Sequence, residues 1–283
     1  MDFGGILRSK VLTLQVKARR KTQKVIAVRQ LGSTPVRLVR TTSRKAPKIK
    51  VLGLVRIILV TLRRKTMIQG NKYLDPILDE LARKWPQNRI VNIVCHGHSV
   101  PAGYFATPFV NTFSAYPHLL HKMIKERFPF AVTNVIVTAI GGENSVSGEA
   151  RFEKDVLSHR PDVLIIDYGL NDRSVGLEAA EKAWCSMIEK ALEQNIKVIL
   201  CTPTWDNSYY SQNEKWEKLA AHAEQVRALA DRYSVGLADS FRAYEKHVSE
   251  PEDLAKYLSH VNHPTQAGHE LVAEEISKYF IAR

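Results

Sequence analysis

The chain has 283 residues, 45 % of them hydrophobic, enough to bury a substantial core in one domain of roughly 200 residues plus an extension. Its net charge of +12 points towards nucleic acid or a membrane surface, but residues 1–66 carry 18 Lys/Arg against a single acid, Asp2, while the remainder carries 23 basic against 28 acidic residues. The body of the protein is therefore mildly acidic and not expected to bind nucleic acid, and no run approaches the roughly 18–20 apolar residues that span a bilayer.

In chain order, the leader comes first. Residues 1–66 are rich in Lys, Arg, Ser and Thr and nearly free of acids. Three readings are open: a basic arm that contacts phosphate or anionic lipid, an organelle transit peptide, or an upstream extension with no selected role. Composition changes abruptly at Met67, which sets the expected division into a basic, poorly ordered extension (1–66) and a folded domain (67–283). Leu74, Ile77, Leu78 and Leu81 then fall at helical spacing.

Beyond residue 88 short apolar runs alternate with helical patterns. The runs are 90–94, 134–140, 162–169, 197–203 and a weaker one at 235–239. Continuous Val/Ile/Leu runs suit parallel strands covered on both faces. Leu119, Met123 and Ile124 share a helix face, as do Leu177, Ala180, Trp184, Met187, Ile188, Ala191 and Leu192; a last helix carries Leu271, Val272, Ile276, Tyr279 and Phe280. Strand–helix alternation with short connections predicts a doubly wound α/β domain, whose ligands sit at the carboxyl ends of the strands. The three cysteines, Cys95, Cys185 and Cys201, are odd in number and widely spaced. They read as buried free thiols in a reduced, cytoplasmic setting.

Each strand end brings a usable group. After the first run stands Ser99 in "HGHSVPAG"; after the second, the paired glycines of "IGGENS"; after the third, Asn171 in "YGLNDR"; near the C-terminus, His263 in "SHVNHPTQAGHE". Singly, each has a plain reading as a turn or cap residue. Together, a serine, neutral donors and a histidine make a kit for acyl transfer.

The order "GHS", "IGGENS", "GLND", "NHPTQAGH" resembles the SGNH (GDSL-type) hydrolases over roughly residues 90–283. The resemblance implies a flavodoxin-like three-layer α/β/α sandwich on five parallel strands. It also implies Ser99 as nucleophile, an oxyanion hole from the Ser99 and Gly142 N–H groups and the Asn171 amide, and His263 as general base and then acid. No metal or organic cofactor is implied.

Two positions depart from the family pattern. The usual Gly-Asp-Ser is here Gly97-His98-Ser99, and the usual acid three residues before the catalytic histidine is His260. A carboxylate there fixes the tautomer of the base. Without it three options remain: the main-chain carbonyl of His260, ranked first; an acid from elsewhere, Asp253 or Asp206; or a weakened site. His96 and His98 are compatible with metal ligation, but no carboxylate or cysteine stands at a recognised spacing, so no metal is expected. His98, Trp205 and Tyr209 are the pocket candidates, although Trp205, Tyr209, Tyr210 and Trp216 also read as loop packing over the sheet. The function expected is a serine esterase acting on small carboxylic esters. An O-acetyl esterase of saccharides and a catalytically weakened binding protein are the alternatives.

Overall fold

The computed structural model describes residues 72–281. The 1–66 extension and the boundary at Met67 lie outside the described residues. The first described helix, α1 (Asp75–Leu81), takes a proline in its first turn and buries Ile77, Leu78 and Leu81, as the spacing predicts.

Five strands form one parallel sheet: β1 (Ile90–Gly97), β2 (Val132–Val137), β3 (Val163–Asp167), β4 (Lys197–Cys201) and β5 (Gly236–Ala238). Their order across the sheet is β2-β1-β3-β4-β5. The chain first builds to one side of β1 and then to the other, so β1 and β3 flank the topological switch point of a flavodoxin-like sheet. Every residue of central β3 is buried, whereas edge β2 is half-exposed along its length. The continuous apolar runs at 90, 162 and 197 reflect that two-sided cover.

The strand period of two sorts the core into two layers. Ile93, Cys95, Val163, Ile165, Ile199 and Cys201 face one side, packing with Leu120 and Ile124 of α3 (Tyr116–Arg127) and with Val272, Ile276 and Phe280 of the C-terminal helix (Gln266–Ile281). Val94, Leu164, Ile166, Val198 and Leu200 face the other, against Trp184, Met187 and Ile188 of the long helix Gly176–Glu193 and Val226 and Leu229 of the helix Glu214–Tyr233. That is the expected three-layer sandwich. Leu177 is the exception on its helical face: it stands in the first turn, where it is 45 % exposed. Cys95 and Cys201 are buried, Cys185 is half-buried, and all three are free thiols. Among the described residues no helix is long and apolar enough to cross a membrane.

Short helices at the strand ends set the loops. After β1 the chain turns at once into α2 (Ser99–Ala102), which Gly103 ends in the left-handed region at φ +87°. After β2 comes α4 (Ser145–Ala150), whose first turn is capped by the Asn144 side chain, accepting from Val146 and Ser147 N–H. Gly148 on α4 lies against Tyr168, and a Cβ there would meet the ring and hydroxyl well inside van der Waals contact. Tyr168 cannot swing away freely, because its hydroxyl is bonded to His96 and Arg151. Gly148→Ala should therefore lower urea-unfolding stability by about 1–3 kcal/mol despite the better helix propensity of alanine. Unchanged stability would mean that the ring relaxes.

Candidate active site at the ends of the first and third strands

Ser99 stands at the first position of α2, directly beyond β1, and is 5 % exposed. Its Oγ lies 3.0 Å from Nε2 of His263, 164 residues further along the chain. Nδ1 of the same ring lies 2.9 Å from the main-chain carbonyl of Phe105. A carbonyl only accepts, so Nδ1 carries the proton and Nε2 is the acceptor that faces the Ser99 hydroxyl. Burial lowers the pKa of His263 from its ordinary value; the Phe105 carbonyl opposes this, and His98 and His260 add to it.

Two closed loops hold this pair. Residues 104–110 form a small loop pinned by the Tyr104–Val110 bridge, by Phe105 N–H donating to the Phe109 carbonyl at 2.9 Å and by Asn111 N–H donating to the Gly103 carbonyl at 2.7 Å. Its base presents the Phe105 carbonyl, and the Tyr104 ring stacks obliquely near His263 with centroids 5.7 Å apart. The second loop carries His263 itself. It is closed by the Leu258–Pro264 bridge, and the His263 carbonyl accepts from both the N–H and the hydroxyl of Ser259, at 2.9 and 3.0 Å.

The acceptor at Nδ1 thus differs from the one ranked first. His260 is exposed on the outer part of its loop, and the carbonyl that reaches the ring comes from Phe105. Asp253 accepts from Ser249 and Glu250 N–H, each at 3.2 Å, and pairs with Lys256. Asp206 caps its own turn through Ser208 N–H and pairs with Arg173 at 2.6 Å. Both carboxylates are committed to local structure.

The neutral donors come from the second and third strand ends. Past β2 the chain leaves the ladder but stays tied to β1, with Thr138 N–H donating to the Cys95 carbonyl at 3.0 Å and Ile140 N–H to the Gly97 carbonyl at 3.1 Å. That tether carries Gly141 and Gly142 to the side of Ser99. Gly141 is small because the Tyr104 ring lies against its backbone, and Gly142 adopts φ +82°. Among the described residues the N–H groups of Ser99 and Gly142 have no hydrogen-bond partner. Asn171, following β3, gives one amide hydrogen to the Glu143 carbonyl at 2.8 Å, which leaves the other available.

Around these donors lies a buried frame that residue spacing did not single out. Asp172, fully buried, accepts from Ser145 N–H and from the Trp184 indole, each at 2.7 Å, so it locks the Asn171 loop to the start of α4. Glu143 is held by Arg151 through Nε at 2.9 and 3.0 Å and by the Tyr168 hydroxyl at 3.3 Å. Behind Tyr168, His96 is enclosed, with Nδ1 2.9 Å from the Thr138 hydroxyl and Nε2 3.1 Å from the Gly148 carbonyl. The acid in "GLND" beside a strand end was the available signal for Asp172; the Phe105 carbonyl has no side-chain signature at all.

The pocket candidates lie elsewhere than in an open wall. His98 is 1 % exposed and sits behind Ser99, its Nδ1 accepting from Val100 N–H at 3.3 Å. Trp205 is 4 % exposed, stacked on Tyr209 at 4.6 Å and edge-on to Trp216 at 5.0 Å, within a satellite core that includes Phe241 and Tyr244. Burying an indole is worth more than leaving it at a rim, which is why the aromatic-rich segment turns inwards. Among the described residues no group of three or more His, Cys, Asp or Glu is arranged to hold a metal ion.

A hydroxyl facing an unprotonated imidazole nitrogen, with unpartnered N–H groups beside it, is suited to attack on a carbonyl carbon. Comparison with known proteins gives the family and the fold. Residues 95–271 match the model of the GDSL-like lipase/acylhydrolase family. The fold is similar to Axe2, an acetylxylan esterase from Geobacillus stearothermophilus (20 % identity, 68 % of this chain and 95 % of that one, TM-score 0.60). It is also similar to LAE5, an alpha/beta hydrolase enzyme from the metagenome of Lake Arreo, Spain (21 % identity, 67 % and 94 %, TM-score 0.59). A lipase/acylhydrolase from Enterococcus faecalis aligns at 22 % identity over 66 % of this chain and 95 % of that one, with a TM-score of 0.55. No curated protein matches the sequence.

Proposed function

The chain belongs to the GDSL-like lipase/acylhydrolase family and is a hydrolase, and from that premise we propose that it is a serine esterase cleaving carboxylic esters through an acyl-enzyme on Ser99. The observation that carries the reading is the chain of contacts from the Ser99 hydroxyl to His263 Nε2 and from His263 Nδ1 to the Phe105 carbonyl. Ser99 Oγ attacks the ester carbonyl while its proton passes to Nε2. The imidazolium so formed keeps its Nδ1–H on Phe105, whose carbonyl dipole takes the place of the usual acid. The N–H groups of Ser99 and Gly142 and the Asn171 amide receive the developing oxyanion. His263 returns the proton to the departing alcohol, then activates the water that releases the acid.

Orientation and tautomer choice need an acceptor, not a charge, and this favours an active dyad over a binding protein that has lost its chemistry. Besides the exposed polar Thr107 and His260, the surroundings of the site carry exposed apolar side chains: Ile140 next to the glycine turn, and Phe109 and Val110 on the loop that holds His263. They favour an apolar acyl group over a sugar ring, and rates on butyrate and octanoate esters against acetylated saccharides separate the two substrate classes. A fluorophosphonate probe tests the reading without knowledge of the substrate. It should label the wild-type protein at Ser99 and leave Ser99→Ala unlabelled; an unlabelled wild type refutes the assignment. The domain as proposed begins near residue 67, with the basic leader outside the catalytic unit.

A further inference from the structure

Where the family pattern has an acid beside the serine, this chain has His98, one residue past Gly97, whose partner on the neighbouring strand is a buried acid, Asp167. Residue 98 is bonded to Asp167 through its main chain and approaches it through its side chain. The His98 N–H donates to the Asp167 carbonyl at 3.3 Å, and His98 Nε2 faces the Asp167 carboxylate at 3.5 Å, both side chains being almost wholly buried. Among the described residues that nitrogen makes no hydrogen bond, so the 3.5 Å approach to Asp167 is a polar contact in a dry pocket and not a formed hydrogen bond.

The other ring nitrogen decides the tautomer. Nδ1 accepts from Val100 N–H at 3.3 Å, so the ring proton must sit on Nε2, directed at Asp167. The same Nδ1 lies 3.4 Å from Ser99 Oγ. The Ser99 hydroxyl is therefore flanked by two imidazole acceptors, His263 on the solvent side and His98 behind. A flipped or protonated His98 would set an N–H against Val100 N–H and would occupy the lone pair with which Oγ attacks. Around Asp167 the remaining buried groups, Tyr116, Tyr244, Cys95 and Cys201, are all held neutral, burial pushing each of them up. Among the described residues no Lys or Arg is paired with Asp167, and the ring it faces is neutral.

We propose that His98 and Asp167 are a matched pair of positioning residues: Asp167 favours the tautomer that carries the proton on Nε2, and His98, by capping Val100 N–H, holds the start of α2 and with it Ser99 in the attacking arrangement. The inference rests on the reading of Ser99 as nucleophile. It makes residues 98 and 167 dependent on each other, because an aspartate at 98 would put two carboxylates into one dry pocket.

The test follows steady-state turnover of p-nitrophenyl acetate together with the rate of fluorophosphonate labelling. His98→Asn keeps a cap for Val100 N–H and introduces no charge. It should lower kcat and the labelling rate about tenfold with KM within about twofold. Asp167→Asn, whose amide oxygen can face the Nε2 proton in the same place, should retain most of the activity. His98→Asp should lose about a hundredfold or more, and the double variant His98→Asp/Asp167→Asn should regain at least about tenfold of it. If His98→Asp fails to fold, the His98→Asn arm decides alone. A His98→Asn protein labelled at the wild-type rate, or a double variant no faster than a folded His98→Asp, overturns the pairing while leaving Ser99 as nucleophile. A wild-type protein that takes no label overturns the nucleophile reading, and the pairing with it.

Discussion

Substituting His263 by alanine should reduce kcat/KM on p-nitrophenyl acetate by ~10⁴-fold or more, because in the proposed mechanism it is the group that takes and returns the serine proton. The companion result distinguishes this site from an acid-backed triad. Asp253→Asn and Asp206→Asn combined should leave kcat/KM within about threefold of wild type, since both carboxylates serve local caps and ion pairs. The pH profile gives a third readout. His263 titrates below its ordinary value, first because it is buried and further because His98 and His260 crowd it. It must be neutral to act, so activity should persist to lower pH than an unperturbed imidazole with a pKa of about 6.5 allows, and fall as pH drops through the lowered value. A ten-thousandfold loss in the double aspartate variant, or an acid limb above pH ~7, would contradict the dyad.

Acid should unfold this protein early, before its carboxylates titrate. His96 and His269 are buried and neutral in the folded state. Burial, helped by the Arg151 charge, holds His96 at about 4, and burial, helped by His263, holds His269 at about 3. In the unfolded chain both return to about 6.5. Between those values the unfolded state binds more protons than the folded one, so stability falls as pH falls, by about 1.4 kcal/mol per pH unit for each ring. Two rings acting over pH 6.5 to about 4.5 make the loss roughly 5 kcal/mol, a large share of the stability of an ordinary domain. His121, His222 and His263 are also lowered by burial and act in the same direction. Urea titrations at pH 7.5, 6, 5 and 4.5 measure the slope, and His96→Asn, whatever its cost at pH 7.5, should make it shallower by about 1.4 kcal/mol per unit. A stability flat from pH 6.5 to 4.5 would mean that these rings take up protons without unfolding.

The sheet was legible because strands covered on both faces need continuous apolar runs, and β1, β3 and β4 supply them. The reading was weaker where the physics is weaker. The run at 134–140 ends as a strand at Val137, since Thr138 and Ile140 already bend towards the glycine turn while still bonding to β1. β5 is only three residues long and has little pattern to offer. Ser99, Gly142, Asn171 and His263 stood out because each follows a strand or opens a helix, and the sheet gathers those points at one end. What surrounds them was not readable in the same way. The Phe105 carbonyl is identical in every residue type, and its contact with His263 spans 158 positions. The inward turn of Trp205 and the burial of His98 depend on which way a loop folds back, and neither period nor polarity encodes that.

The main-chain support of His263 changes what mutation can do to this enzyme. An acid three residues before the base can be erased by one codon change, whereas a peptide carbonyl survives every substitution at its own position. Here the vulnerability moves from a side chain to the length and closure of residues 104–110, where an insertion, a deletion or a loss of the Tyr104–Val110 bridge displaces the acceptor. Random point substitution should therefore spare the support of the proposed base, and indels in that short loop should not. The same property gives engineering a handle: the exposed tip at Phe109, 70 % open to solvent, tolerates changes of side chain so long as the loop's residue count is kept.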